Sequence, residues 1–304
     1  MKILVTGGAG FIGTNLVPKL IEKGHEVKVL DLLLYGNGKE VENAGAEVLK
    51  GDIRDKETCS SACKGIDVII HLAAQTGVVY SVKKPRYDFE TNAVGIFNML
   101  MAAKENNVDK FIFTSSVAVL GDQEQPVHEE QIPNPKSGYG ASKLCGEGYC
   151  NFFEQAYGLD SIILRFTNVY GQKSAHKRNI MNIFIERIEQ GKPLTVFGDG
   201  TTTRDYVHVN DVCRALILCL EKEISGETIH VSSGKETSIN DLINALEKVT
   251  EKDFEVKNEP ARTGEILRNY SKIEKAKKVL GFEPKISLEE GLRQTYRWFK
   301  GGKS

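Results

Sequence analysis

The segment Gly7-Gly8-Ala9-Gly10-Phe11-Ile12-Gly13 constrains this chain more than any other stretch of it. It follows directly on the apolar run Lys2–Thr6 and leads into Ile12, Leu16 and Leu20, an i, i+4, i+8 stripe closed by Gly24. Run, turn and stripe read as a buried strand, a tight turn and a helix packed back on the strand. Gly7 permits the turn, Gly10 lets the backbone approach a pyrophosphate, and Gly13 lets helix and sheet lie close. The unpaired N–H groups at the helix start then face the phosphates. The spacing is G-x-x-G-x-x-G and not the general dinucleotide fingerprint G-x-G-x-x-G, so the turn alone does not decide the ligand.

Its context does. Further β-rich runs stand at Glu26–Asp31, Glu47–Gly51, Asp67–Leu72, Lys110–Ser115 and Ser161–Phe166, with helical stretches at Phe89–Asn106 and Tyr139–Tyr157. The alternation predicts a parallel sheet covered on both faces. Asp31 ends the second strand, where a carboxylate accepts from an adenosine ribose and repels a 2′-phosphate, and no arginine follows it directly. The reading is NAD, not NADP. Beyond about Asn168 the rhythm changes. A helix is expected at Ile180–Gln190, strands at Leu194–Phe197, Tyr206–Val209 and Thr228–Val231, and helices at Ile239–Thr250 and Ser271–Leu280. A last helix opens at Ser287 with a reciprocal capping box to Glu290.

The 304 residues leave room for a core and a lobe, and 40 Lys plus Arg against 41 Asp plus Glu leave no basic surplus for nucleic acid. No run approaches the roughly 20 apolar residues of a membrane span, and no signal peptide precedes the first strand. The six cysteines form no Cys-x-x-Cys, so free thiols in a reducing cytoplasm and no metal site are expected.

Tyr-x-x-x-Lys occurs four times: Tyr35/Lys39, Tyr80/Lys84, Tyr139/Lys143 and Tyr296/Lys300. Only Tyr139/Lys143 opens a helix after a strand ending in Thr114-Ser115-Ser116, and the other three are expected in loops or on solvated helix faces. On one helix face, Lys143 and a positive nicotinamide would lower the Tyr139 phenol towards the range of a general base, with Ser116 on the reacting oxygen.

Together these residues resemble the extended short-chain dehydrogenase/reductase family, in its NAD-dependent nucleotide-sugar epimerase/dehydratase branch. The likeness runs through Gly51-Asp52-Ile53-Arg54-Asp55, His71-Leu72-Ala73-Ala74, Thr91-Asn92, Tyr139-Gly140-Ala141-Ser142-Lys143 and Arg165–Gly171, then Phe197–Gly200 and Thr203–Val209. It implies an α/β fold, a Rossmann-type doubly wound parallel sheet with a smaller α/β substrate lobe. Residues 1–170 plus about 205–235 would hold NAD, and 171–204 plus about 236–304 the nucleotide sugar. By carry-over Gly7, Gly10, Phe11, Ile12, Gly13, Asp31, Asp52, Ile53, Leu72, Ala73, Ala74, Asn92, Tyr139 and Lys143 line the NAD site. Ser116, Tyr139 and Lys143 carry the chemistry. Asn168, Arg204 and Arg262 match positions that grip the diphosphate, Phe197 one that packs a nucleobase, and Asn269 lies near one that gates the sugar's 2-substituent. The resemblance also implies a homodimer through the helices at Phe89–Asn106 and Tyr139–Tyr157.

The branch includes epimerases, dehydratases and decarboxylases, all of which begin by oxidising C4. Dehydratases carry Asp-Glu after the active serine, and decarboxylases a Glu at the second place. Val117 and Ala118 stand here and transfer no proton. The expected activity is therefore a UDP-sugar 4-epimerase, working by C4 oxidation, rotation of the 4-keto sugar and re-reduction. UDP-glucose/galactose, UDP-GlcNAc/GalNAc and UDP-uronate stay open, with Gln75–Ser81 leaning away from simple hexoses. Leu120, where a tyrosine is frequent, is expected to remove a polar group near the sugar. The alternatives are a dehydratase or decarboxylase with an unusual loop, or a non-catalytic NAD-binding regulator.

Overall fold

The computed structural model describes residues 1–34, 38–262 and 266–301. Its strands are β1 (Lys2–Thr6), β2 (Glu26–Asp31), β3 (Glu47–Lys50), β4 (Val68–His71), β5 (Lys110–Ser116), β6 (Asp160–Phe166), β7 (Asn168–Tyr170), β8 (Leu194–Phe197), β9 (Thr203–Arg204), β10 (Tyr206–His208), β11 (Glu227–Val231), β12 (Thr237–Ser238) and β13 (Val256–Glu259). Its helices are α1 (Phe11–Glu22), α2 (Gly38–Asn43), α3 (Lys56–Ala62), α4 (Val78–Lys83), α5 (Pro85–Phe89), α6 (Gly95–Glu105), α7 (Gly138–Tyr157), α8 (Ile180–Glu189), α9 (Val209–Glu221), α10 (Ile239–Thr250) and α11 (Leu288–Lys300).

Seven parallel strands make the central sheet in the order β11-β6-β5-β4-β1-β2-β3. The order reverses between β1 and β4, and doubly wound sheets bind ligands at such a switch point. Burial on both faces explains the near-continuous apolar strands. From β1, Ile3 and Val5 join one core with Leu16, Val212 and Leu216, while Leu4 joins the other with Ile69, Leu100 and Phe113. A third core lies outside the sheet and unites Phe184, Ile185, Val196, Leu242, Leu246 and Leu292.

Four expectations give way to tertiary context. The helix expected over Phe89–Asn106 is α5, one wide turn at Glu90–Val94, and α6. In place of a helix over Ser271–Leu280 stands mainly a wide turn at Ala276–Leu280. Ser287 caps α11 through the Glu290 N–H, but the Glu290 carboxylate turns to Arg293 and Gln294; the reciprocal box forms instead between Ser238 and Asp241 on α10. Tyr296, expected on a solvated face, is buried and bonds Glu189.

Candidate active site

The β1–α1 turn is closed from three sides. The Gly7 N–H donates to Leu30 O at 2.8 Å, and a Cβ on Gly7, whose φ is +68°, would stand 2.7 Å from the Ala73 nitrogen. A Cβ on Gly13 would meet the Gly8 carbonyl oxygen at 2.3 Å. Around Gly10 the nearest atom to such a Cβ is the Gly7 oxygen at 3.2 Å, and Gly10 starts α1 with no side-chain cap. The uncapped helix start therefore presents backbone donors on an open face, as a pyrophosphate requires. Phe11 is buried and Ile12 half-buried, so Phe11 offers the turn its backbone and not its ring.

Asp31 sits at the end of β2 with one oxygen accepting from the Ala9 N–H at 3.0 Å and the other from the Leu33 N–H at 2.7 Å. Burial raises its pKa above the usual carboxylate range, against the pull of those two N–H groups. The carboxylate thus braces the glycine turn and keeps lone pairs for a ribose. Asp52 holds Arg54 in a fork at 2.9 and 2.5 Å. Ile53 is buried and packs against Gly95, leaving only its backbone for a ligand. Leu72, Ala73 and Ala74 leave β4 half-buried beside the turn, with the Ala73 N–H donating to Thr6 Oγ1 at 3.2 Å. Asn92 lies in the wide turn after α5 and clamps Gln75 from both sides at 2.8 Å.

Tyr139 and Lys143 lie one turn apart on α7, which Ser137 caps through the Gly140 N–H. Lys143 is buried; its Nζ donates to Thr114 O at 2.9 Å and lies 4.9 Å from the Phe113 ring centroid. Burial pushes its pKa down to about 8, against the supporting charge of Asp88. Tyr139 is half-buried, with Ser116 close enough to act on its phenol and the Ser116 Oγ accepting from the Ala118 N–H at 3.2 Å. Burial pushes that phenol up to about 12, the Ser116 bond working against it and Asp88 with it. With burial leading, the phenol stands above its ordinary value, and reaching a general base's range requires positive charge beside it; the Lys143 Nζ lies 6.0 Å from the Tyr139 ring centroid.

The second lobe brings Phe197 and Arg262 together, the guanidinium 3.9 Å from the ring centroid and both residues exposed. Asn168 is exposed and donates to Asp205 O at 3.2 Å, while Arg204 donates to Thr203 O and Ile266 O. Asn269 is half-buried with its Oδ1 closed off from any partner among the described residues. Gly264 and Glu265, which place Asn269 in the family pattern, lie outside the described residues, as does Tyr35. Leu120 is fully buried with Val119 and Val127, so its effect is on packing and not on the polarity of a sugar site.

Three features escaped the sequence reading. Asp88 is buried and accepts from Ser142 and Asn92. Lys177 reaches from the second lobe to Thr76 Oγ1 at 2.8 Å. His230 on β11 pairs in register with Arg165 on β6. His71 is packed, its Nδ1 2.9 Å from Thr6 Oγ1. Among the described residues no cluster suits a metal ion, and no helix is long and apolar enough to cross a membrane.

The pattern of the family described as NAD dependent epimerase/dehydratase matches residues 3–232. The chain belongs to that family. It is 40% identical over 303 residues to a putative UDP-glucose 4-epimerase of Methanocaldococcus jannaschii, covering 98% of each chain. Among solved structures it resembles a UDP-glucose 4-epimerase of Thermotoga maritima with UDP-glucose, at 38% identity, TM-score 0.95 and full coverage of both chains. It also resembles a UDP-N-acetylglucosamine 4-epimerase of Methanobrevibacter ruminantium, at 33% identity and TM-score 0.93, covering 99% of this chain and 98% of that one. NAD is the cofactor of the family, and the open backbone face at Gly10 together with the carboxylate at the end of β2 fits it.

Proposed function

We propose that this chain is an NAD-dependent UDP-sugar 4-epimerase whose sheet domain, residues 1–170 plus about 205–235, holds NAD while the remainder grips the nucleotide. The observation that carries the reading is the turn beside Tyr139, Lys143 and Ser116. Val117, Val119 and Leu120 are buried there and Ala118 is half-buried, so no carboxylate stands where elimination or decarboxylation needs an acid. Tyr139 takes the proton of the sugar 4-hydroxyl and later returns one, with Ser116 bonded to the same oxygen. Lys143, fixed on Thr114 O, brings positive charge to the phenolate. NAD, when bound, supplies the reversible oxidation and reduction at C4. Phe197, Arg204, Arg262 and Asn168 hold base and diphosphate while the keto sugar turns, which keeps the ketone from escaping.

The test is incubation with UDP-glucose, UDP-GlcNAc and UDP-glucuronate separately, without added cofactor, and NMR of the products. The 4-epimer is expected from at least one, with Tyr139→Phe slowing turnover by about a hundredfold to ten-thousandfold. A 4-keto-6-deoxy sugar or released carbon dioxide overturns the assignment, and bound NAD without turnover of any sugar favours a regulator.

A homodimer and a cytoplasmic location complete the proposal. Phe97 on α6 and Tyr149, Phe152 and Tyr157 on α7 are exposed, with Phe97 and Tyr149 edge to face at 5.1 Å. An aromatic face of this kind is what a second copy covers. Light scattering should give twice the chain mass, and Phe97→Glu with Phe152→Glu should give monomer. All six cysteines are unpaired thiols, which suits a reducing compartment.

A further inference from the structure

One face of α7 carries three polar side chains at four-residue spacing, and each meets the end of β5. Tyr139 stands by Ser116, Lys143 donates to Thr114 O at 2.9 Å, and Glu147 Oε1 accepts from Ser115 Oγ at 2.5 Å. The third rung is anchored further. Arg165, the register neighbour of Ser115 on β6, grips Glu147 with Nε at 2.9 Å and Nη2 at 2.7 Å. Both charged side chains are about 95% buried, at 5% and 6% exposure. The Arg165 Nη1 has no partner among the described residues, and its register neighbour on β11 is His230, which burial keeps neutral with a pKa near 3.

A buried ion pair is a poor way to add stability, because desolvation offsets much of the attraction and a well-packed apolar pair does as well. This one even leaves a guanidinium arm unsatisfied. Its directionality is what an apolar pair lacks: a two-pronged fork plus a hydroxyl admits one axial setting of the helix, whereas greasy contacts tolerate a slide.

We infer that Glu147 and Arg165 are positioning residues for the reaction, setting α7 along β5 so that the Tyr139 oxygen and the Ser116 hydroxyl converge on one substrate oxygen. This rests on the epimerase reading. Neither residue touches substrate; both act through Ser115, the neighbour of Ser116, and through the turn of α7 that carries Lys143.

The experiment separates fold from position. Glu147→Gln alone leaves Arg165 buried without its counter-charge and is expected to unfold readily. The double variant Glu147→Leu with Arg165→Met removes both charges and is expected to melt near the parent temperature. In it kcat should fall at least about tenfold, while KM for the nucleotide sugar and the amount of NAD retained stay within about twofold, since small misplacements of reacting groups weigh on the chemical step. Ser115→Ala, which removes only the hydroxyl rung, should lower kcat in the same sense by a smaller factor with unchanged melting. A stable double variant with kcat within twofold of the parent overturns the inference. So does a fall in kcat matched by loss of NAD, which would make the pair structural. Parent protein assayed alongside keeps the two readings apart: an inactive parent sinks the epimerase assignment, and an active parent equalled by the double variant sinks only the positioning role.

Discussion

At the β1–α1 turn backbone meets backbone: a Cβ on Gly13 would stand 2.3 Å from the Gly8 carbonyl oxygen, and one on Gly7 2.7 Å from the Ala73 nitrogen. In the second lobe the residues proposed to grip the nucleotide are long side chains. Arg262 lies over Phe197 from a distant loop, and Arg204 leans on the carbonyls of Thr203 and Ile266. The first arrangement is fixed by what cannot fit, the second by what happens to reach. A site of the first kind should fail all at once when a single atom is added. One of the second kind should weaken by degrees and leave the rest of the molecule intact.

Gly13→Ala tests the first half and has the largest expected effect. The added methyl has nowhere to go without pushing α1 away from the Gly8 backbone of the turn, and overpacking of this kind costs about 1–3 kcal/mol. Purified variant should carry little NAD, read from its absorbance ratio at 260 and 280 nm, and should unfold at lower urea. Retention of NAD at parental level would show that the turn has slack that the backbone distances deny.

Arg262→Ala tests the second half. Arg262 is exposed and its ring partner remains, so stability should be unchanged. A charged hydrogen bond to phosphate is worth about 1.5–3 kcal/mol, which corresponds to a KM raised on the order of tenfold or more. Because the diphosphate is held alike in ground and transition states, kcat should change little. A fall in kcat with KM unmoved would instead place Arg262 at the reacting sugar.

The same contrast explains what the sequence made legible. The turn could be read from seven consecutive residues because its glycines serve contacts with nearby strands, and register places Thr6 beside Leu30 and His71. Tyr139 and Lys143 could be chosen from four matching pairs because a strand ending in serines precedes only one of them. Glu147 with Arg165, and Lys177 with Thr76, gave no such sign, since each pair joins different elements and neither member is unusual alone. The wide turn at Glu90–Val94 likewise depends on its setting: Asn92 at its centre is bonded to Gln75, Asp88 and Ser142. Local helix propensity has no access to those partners. At Leu120 the residue type was legible but its direction was not, and burial among Val117, Val119 and Val127 decided it.

Acid should reach the buried histidines before the hydrogen-bonded carboxylates. His71 and His230, both in the sheet domain, are held neutral by burial with pKa values near 3, against about 6.5 when unfolded. Between those values the unfolded chain binds more protons, so stability rises with pH and is lost as pH falls below about 6.5. Each histidine contributes up to about 1.4 kcal/mol per pH unit within that window. In the lobe, hydrogen bonds hold Glu236 and Asp241 below the usual carboxylate range, the bond from Arg268 leading for Glu236 and that from Ser238 for Asp241. Their contribution is full above about pH 4.5 and fades only below it. Urea midpoints at pH 7 and pH 5 should therefore differ, and His230→Gln should flatten the slope. Equal midpoints would mean that these histidines take up protons without unfolding.

Salt offers the mildest probe. Charges on exposed arginines are screened over a Debye length of about 10 Å at 0.1 M and about 3 Å at 1 M. Arg262 is exposed, so attraction of the nucleotide to the lobe should weaken as salt rises, and KM should climb about twofold to fivefold between about 0.05 and 0.5 M. The turn at Gly10 offers phosphates the directed backbone donors of an uncapped helix start, where contact geometry counts for more than long-range field. NAD retention over the same range should move by less than about twofold. Arg262→Ala should also lose most of the salt response of KM, which ties the effect to that side chain and not to ionic strength at the reaction centre. If NAD leaves as readily as the nucleotide sugar weakens, screening acts on both halves alike and the contrast between a backbone-built and a side-chain-built site fails.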